Sequence, residues 1–152
     1  VYRQDDIFAP ANYSFDYAFA ITMMAQPLAW FEGSGLPNEA ASISSVIKKY
    51  SEVQHDLHSG YIFPIGDEPS GRSWTGFQSV NNQEGYILVF RENSELTKKT
   101  IKTYIQPNRK VELIAIMGEG KNFTAETKPN SEIEFVLSKK NSYALYKYHI
   151  QE

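Results

Sequence analysis

The sequence predicts an α+β fold in which N-terminal helices are followed by an antiparallel β-sandwich of about seven or eight strands. Three observations carry this. Residues 15–31 contain thirteen apolar or aromatic side chains out of seventeen. Between residues 38 and 57, apolar side chains recur at spacings of three and four. From Tyr61 to the end, short runs rich in β-branched and aromatic residues alternate with turn formers. The expected division is a helical segment over 1–59 and a sandwich over 60–152.

Taken in order, Ser14 or Asp16 can cap a helix that starts near Phe15. Pro27, which lacks a backbone donor, kinks it or starts a new turn, and Gly33 and Gly35 stop it. On a helical wheel the polar positions Asp16, Thr22, Gln26 and Pro27 fall within about 140°, so about 220° of the girth is apolar. Trp30 on this helix is expected in a core. A second helix starts after Pro37, with Asn38 as its cap. Ala40, Ile43, Val46, Ile47, Tyr50, Val53 and Leu57 form its apolar stripe, and His58-Ser59-Gly60 ends it.

Strands are expected near 61–65, 75–80, 84–92, 97–105, 110–117, 122–126, 131–138 and 142–150. The turn formers between them include Asn81-Asn82, Pro107-Asn108, Gly118 and Gly120, and Pro129-Asn130. A sandwich of this size is expected to cover one side of the second helix and to leave the apolar first helix needing more protein. That cover comes either from self-association through 15–31 or from a larger body to which the helix belongs.

Composition sets bounds on function. Hydrophobic residues make up 41% and charged residues 22% of the chain, which is ordinary globular composition. Fifteen basic against eighteen acidic side chains leave no basic footprint for nucleic acid or an anionic membrane surface. The apolar segment is interrupted by Asp16 and Gln26, short of the roughly 20 apolar residues a bilayer span needs. No signal peptide is read at the Val1 end. Zero cysteines exclude disulfides and thiolate metal sites and leave the compartment open. Charge differs between the halves: residues 1–60 carry three basic and seven acidic side chains, residues 61–152 twelve and eleven.

The stretches YAFAITMMAQPLAWFEGSGLP, IKKYSEVQHDLHSGYIFPIG and GYILVFRE resemble, in pattern and order, the end of an α-galactosidase-type glycoside hydrolase. In such enzymes a (β/α)8 barrel is followed by an antiparallel β-sandwich. The resemblance implies that the first two stretches are the last barrel helices and the third is a strand of the sandwich. It further implies an upstream catalytic barrel as partner and a catalytic carboxylate pair that lies before this chain. It favours a bacterial periplasmic or secreted location over a cytoplasmic one. By the same resemblance, residues 1–12 lie near the rim of the sugar site, which makes Asp5 and Asp6 candidates for carbohydrate binding.

From the residues themselves, no catalytic constellation is expected. Asp5-Asp6 and Asp67-Glu68 are sequence neighbours, whereas a glycosidase holds two carboxyls about 5 to 9.5 Å apart across the scissile bond. His55 and His58 lie three apart on the second helix without an evident third ligand, so no metal site and no cofactor are expected. The loop EPSGRSWTGFQS offers Trp74 as a ring that could stack on a sugar and Arg72 as a donor to its hydroxyls. Its other reading is that Trp74 plugs the junction of helices and sandwich. Tyr61 and Tyr86 are further aromatic candidates. Three functions follow: a non-catalytic C-terminal region supporting a glycoside hydrolase barrel, a stand-alone carbohydrate-binding module, or a self-associating structural domain.

Overall fold

The computed structural model describes residue 9 and residues 12–27 and 38–151. Its helices are α1 (Phe15–Ala20) and α2 (Ile43–Ser59), with 3-10 turns at Met23–Ala25 and Asn38–Ser42. Among the described residues eight strands follow: β1 (Tyr61–Gly66), β2 (Trp74–Asn81), β3 (Glu84–Arg91), β4 (Lys98–Lys102), β5 (Lys110–Gly118), β6 (Phe123–Glu126), β7 (Glu132–Val136) and β8 (Ser142–Ile150). Each falls on a stretch where the sequence predicts a strand, with ends shifted by a few residues, as strand ends set by hydrogen bonding commonly are.

All the pairings are antiparallel. One sheet has the order β1-β2-β3-β8-β5-β6, and β4 pairs with β7 as a separate two-stranded sheet. The sandwich is therefore lopsided, with a broad sheet and a narrow cover. One core lies between the two sheets and gathers Ile87, Val89, Val111, Leu113, Ile133, Phe135, Tyr146 and Tyr148. A second core lies on the opposite face of the broad sheet, where Tyr17, Met23, Tyr50 and Leu57 of the helical layer pack with Tyr86, Leu88, Phe90 and Leu145. The central strand β3 is buried from Gly85 to Arg91 because both of its faces are covered. Its unbroken apolar run is the sequence sign of a strand dry on two sides.

A bulge in β5 lets one strand serve both cores. Ala115 opposes Tyr146 and Met117 opposes Leu145, so an extra residue is accommodated between them. Val111 and Leu113 accordingly face the two-stranded sheet, while Met117 faces the helices.

The helical layer departs from expectation in two places. The first helix stops at Ala20 and does not run on to Pro27. Thr22 Oγ1 donates to the Phe19 carbonyl at 2.7 Å, its backbone N–H takes the same oxygen, and the chain tightens into a 3-10 turn. Gln26 then adopts a φ of 54°, out of the helical region that Pro27 disfavours for the residue before it. The wheel drawn for 15–31 consequently does not apply to its described part, and Trp30 lies outside the described residues. In the second departure, residues 38–42 form a 3-10 turn before α2 begins at Ile43. Ser44 and Ser45 return their hydroxyls to the carbonyls of Ala41 and Ser42, a competing local bond that serine makes readily.

The second face of the broad sheet covers one side of the described apolar segment as well as α2, more than the single helix expected, while Ile21 remains 53% exposed. Tyr17, Ala20, Met23 and Met24 are buried, Tyr17 meets Phe90 edge-on at 5.5 Å, and Phe19 meets Tyr50 edge-on at 5.4 Å. Polar pins fix the layer. Tyr50 donates its hydroxyl to the Met23 carbonyl at 2.8 Å, and His58 Nε2 lies 3.0 Å from both atoms. Tyr86 donates to Asp56 at 2.8 Å, Lys147 reaches the same carboxylate oxygen at 2.9 Å, and Ser79 donates to the Leu57 carbonyl.

Candidate functional site

The Trp74 loop is tightly built. Glu92 accepts the backbone N–H groups of Ser70 and Ser73, at 3.1 and 2.7 Å, which folds residues 70–73 back against the end of β3. Trp74 then enters the sheet and is 1% exposed, its indole N–H donating to the Leu96 carbonyl at 3.1 Å. A ring so enclosed has no free face for a sugar, and it fills the core between the sheets. Arg72 stays at the surface, so the two side chains do not converge on one site. Tyr86 is likewise buried, with its hydroxyl committed to Asp56. Asp5 and Asp6 lie outside the described residues.

The other polar candidates are engaged elsewhere. Asp67 pairs with Lys99 at 3.0 Å, and Glu68 is exposed. His58 sits against Met23 and Tyr50, while His55 is exposed. Among the described residues no group of three or more potential metal ligands gathers. The carboxyl of Asp56 is held below its ordinary range by its bonds from Lys147 and then Tyr86, the opposite of the raised value a general acid needs.

A cleft of about 480 Å³ opens between the helices and one end of the broad sheet, lined by Asp16, Lys49, Glu119 and Lys139 among others. Its charges are of both signs, and Lys139 closes on Glu119 at 2.7 Å.

The aromatic surface lies on the far side of the sheet, beyond the edge of the narrow cover. Tyr61, Phe63 and Ile65 alternate on one face of β1. Ile65 enters the core between the sheets, whereas Tyr61 and Phe63 are 79% and 38% exposed. Tyr104, in the segment after β4, is 53% exposed and lays its ring against Phe63, with centroids 4.6 Å apart and planes 30° apart. Val80, the cross-strand partner of Tyr61, and Tyr104 both border a cavity of about 230 Å³. Asn82, Gln83, Gln106 and Arg109 give the wall polar groups, and Ile105, with Tyr148 and Ile150 at the end of β8, completes it.

Tyr104 is positioned by buried polar groups. The fully buried Gln78 accepts the Tyr104 backbone N–H at 2.8 Å and donates to the Tyr148 hydroxyl at 3.2 Å. On the preceding residue, Thr103 donates its N–H and its hydroxyl to the Ser131 carbonyl, at 2.9 and 2.8 Å. Burial pushes the Tyr148 phenol above its ordinary value, so it stays a neutral hydroxyl at physiological pH. Sequence inspection raises Tyr61 alone of this group. The alternation of Tyr61, Phe63 and Ile65 was a usable sign, but only the fold brings Tyr104 to them.

No protein-family model matches the sequence, and no curated protein matches it. In structure the chain is similar to an α-amylase of Anoxybacillus, described as giving insight into a new glycosyl hydrolase subclass, with a TM-score of 0.56 and 12% identity. The likeness covers 90% of this chain and 32% of that one, so the chain spans about a third of that enzyme's length. At such identity the likeness is one of fold alone, and it does not single out the α-galactosidase type. The fold of this chain, helices and sheets together, resembles part of a glycosyl hydrolase.

Proposed function

We propose that this chain is the non-catalytic C-terminal region of a carbohydrate-active glycoside hydrolase and supports that enzyme's catalytic barrel. The observation that carries this is the layering. A short helical layer precedes the sandwich in sequence and packs on its broad sheet, and the likeness to a glycosyl hydrolase runs through both, over 90% of the chain. The exposed side of α2 carries Ser44, Lys48, Ser51, Glu52 and His55. Such a side suits solvent, so the contact with the barrel is assigned to the apolar segment around Ile21, which is 53% exposed. The sequence pattern points more narrowly to an α-galactosidase-type parent.

The test has two arms. The reading frame that carries this sequence should encode a (β/α)8 barrel ahead of it, and deleting residues 60–152 from that product should lower its melting temperature. The 152-residue chain alone should turn over no nitrophenyl α- or β-glycoside of galactose, glucose or their N-acetyl derivatives. Turnover that disappears when Asp5, Asp6, Asp67 or Glu68 is changed to its amide would overturn the proposal. For the narrower assignment, the parent should prefer nitrophenyl α-galactoside to soluble starch.

A further inference from the structure

We infer that Tyr61, Phe63 and Tyr104, with the cavity that Tyr104 borders, form a binding surface for a neutral saccharide chain. This builds on the proposed glycoside hydrolase role by adding a sugar contact on the accessory sandwich itself. The first ground is that these rings are exposed together. Single apolar side chains on a surface need no explanation, but Phe63 and Tyr104 form a tilted ring pair beside the exposed Tyr61. A pyranose presents an apolar face of axial C–H groups, and a tyrosine ring packed against a neighbour on one side still offers its other face.

The second ground is rigidity. Gln78 and Thr103 fix the backbone on both sides of the Tyr104 peptide, so presenting the ring costs little further ordering on binding. The third is the chemistry of the wall. Asn82, Gln83, Gln106 and Arg109 give amide and guanidinium groups, which pair with sugar hydroxyls as donors and acceptors, and no carboxylate lines the cavity among the described residues. At about 230 Å³ the cavity lies below the usual range for enclosing a drug-sized ligand, which suits one unit of a chain lying across the rings. Pairing with a second protein along β1 is disfavoured, because Pro64 removes a backbone donor from this edge strand.

The experiment is native electrophoresis of the full chain in gels containing soluble starch, galactomannan, xyloglucan or polygalacturonate, against a gel without polysaccharide. Retardation is expected in at least one of the three neutral gels. Tyr61→Ala and Tyr104→Ala should each weaken it about tenfold in apparent affinity, while Tyr104→Trp retains it. Unchanged melting of the alanine variants would show that the loss comes from the surface and not from unfolding. Free migration in every neutral gel, retardation in polygalacturonate alone, or equal retardation of the parent and Tyr104→Ala would overturn the inference. None of these results bears on whether a barrel precedes the chain or loses stability without it, so the two proposals fail separately.

Discussion

On one face of the broad sheet, Ile101, Ile133 and Phe135 of the β4–β7 pair lie against Val111, Leu113 and Tyr146; on the other, Tyr17, Met23, Tyr50 and Leu57 lie against Tyr86, Leu88 and Leu145. Both faces are dry, yet the covers are attached differently. The β4–β7 cover is itself hydrogen-bonded strand to strand, and the buried Arg91 of β3 ties its end down by donating to the carbonyls of Leu137 and Ser138 at 2.9 and 2.8 Å. The helical cover is held to the sheet by side chains reaching across, Tyr86 and Lys147 to Asp56 and Ser79 to Leu57, while Tyr50 ties α2 to the turn at Met23. A layer attached at a few pins can open while the sheet beneath keeps its ladders.

The largest expected effect comes from breaking the strand-covered face. Phe135→Ala removes a fully buried ring that contacts Phe123 and Tyr146, and should cost about 3 to 5 kcal/mol, lowering the melting temperature by about 10 °C in one cooperative transition. Tyr50→Phe tests the helical face with less force. It deletes the hydroxyl that donates to Met23 and should cost about 1 to 3 kcal/mol, with chemical denaturation showing faster opening of residues 15–25 than of β3. If both substitutions shift one transition equally at every probe, the two covers are not distinct.

The smallest effect is electrostatic. The Asp56 carboxyl is lowered in the folded chain, chiefly by the hydrogen bond from Lys147, so its contribution is present above the ordinary aspartate value of about 3.9 and is lost as pH falls through the folded value. Lys147 is raised, chiefly by the same bond, so its share is complete below about 10.4 and is lost as pH rises through the raised value. Both side chains are more than a third exposed, which limits the pair to below about 1 kcal/mol. Asp56→Asn should therefore lower the melting temperature slightly at pH 7 and flatten its fall below pH 4. An unchanged acid limb would mean that another group governs it.

How legible this molecule is in its sequence depends on how local each signal is. The eight strands are readable because β-rich runs such as EGYILVFRE and SYALYKYHI stand between explicit turn residues like Asn82, which takes a φ of 53°. The sharing of the broad sheet between two covers is less legible. Its one local sign is the unbroken apolar run of β3, YILVF, and the bulge that turns Met117 toward the helices leaves no mark in the sequence. The first helix misleads because its termination depends on the Thr22 hydroxyl taking the Phe19 carbonyl, which a wheel does not represent. Trp74 and Tyr104 show the same limit in opposite directions. A tryptophan in a polar loop goes inward to bond Leu96, and a tyrosine with no motif around it comes to the surface beside Phe63 because a distant glutamine holds its backbone.

The asymmetry between the two covers is tested most directly by hydrogen exchange on the full chain, followed residue by residue under native conditions. The amides of β3, β5 and β8 should exchange slowest, those of β4 and β7 next, and those of residues 15–25 and the first turns of α2 much faster, through an opening that leaves the sheet protected. Exchange of residues 15–25 as slow as that of β3 would contradict that asymmetry, since the helical layer would then be an inseparable part of the core and not a cover docked on a self-standing sandwich.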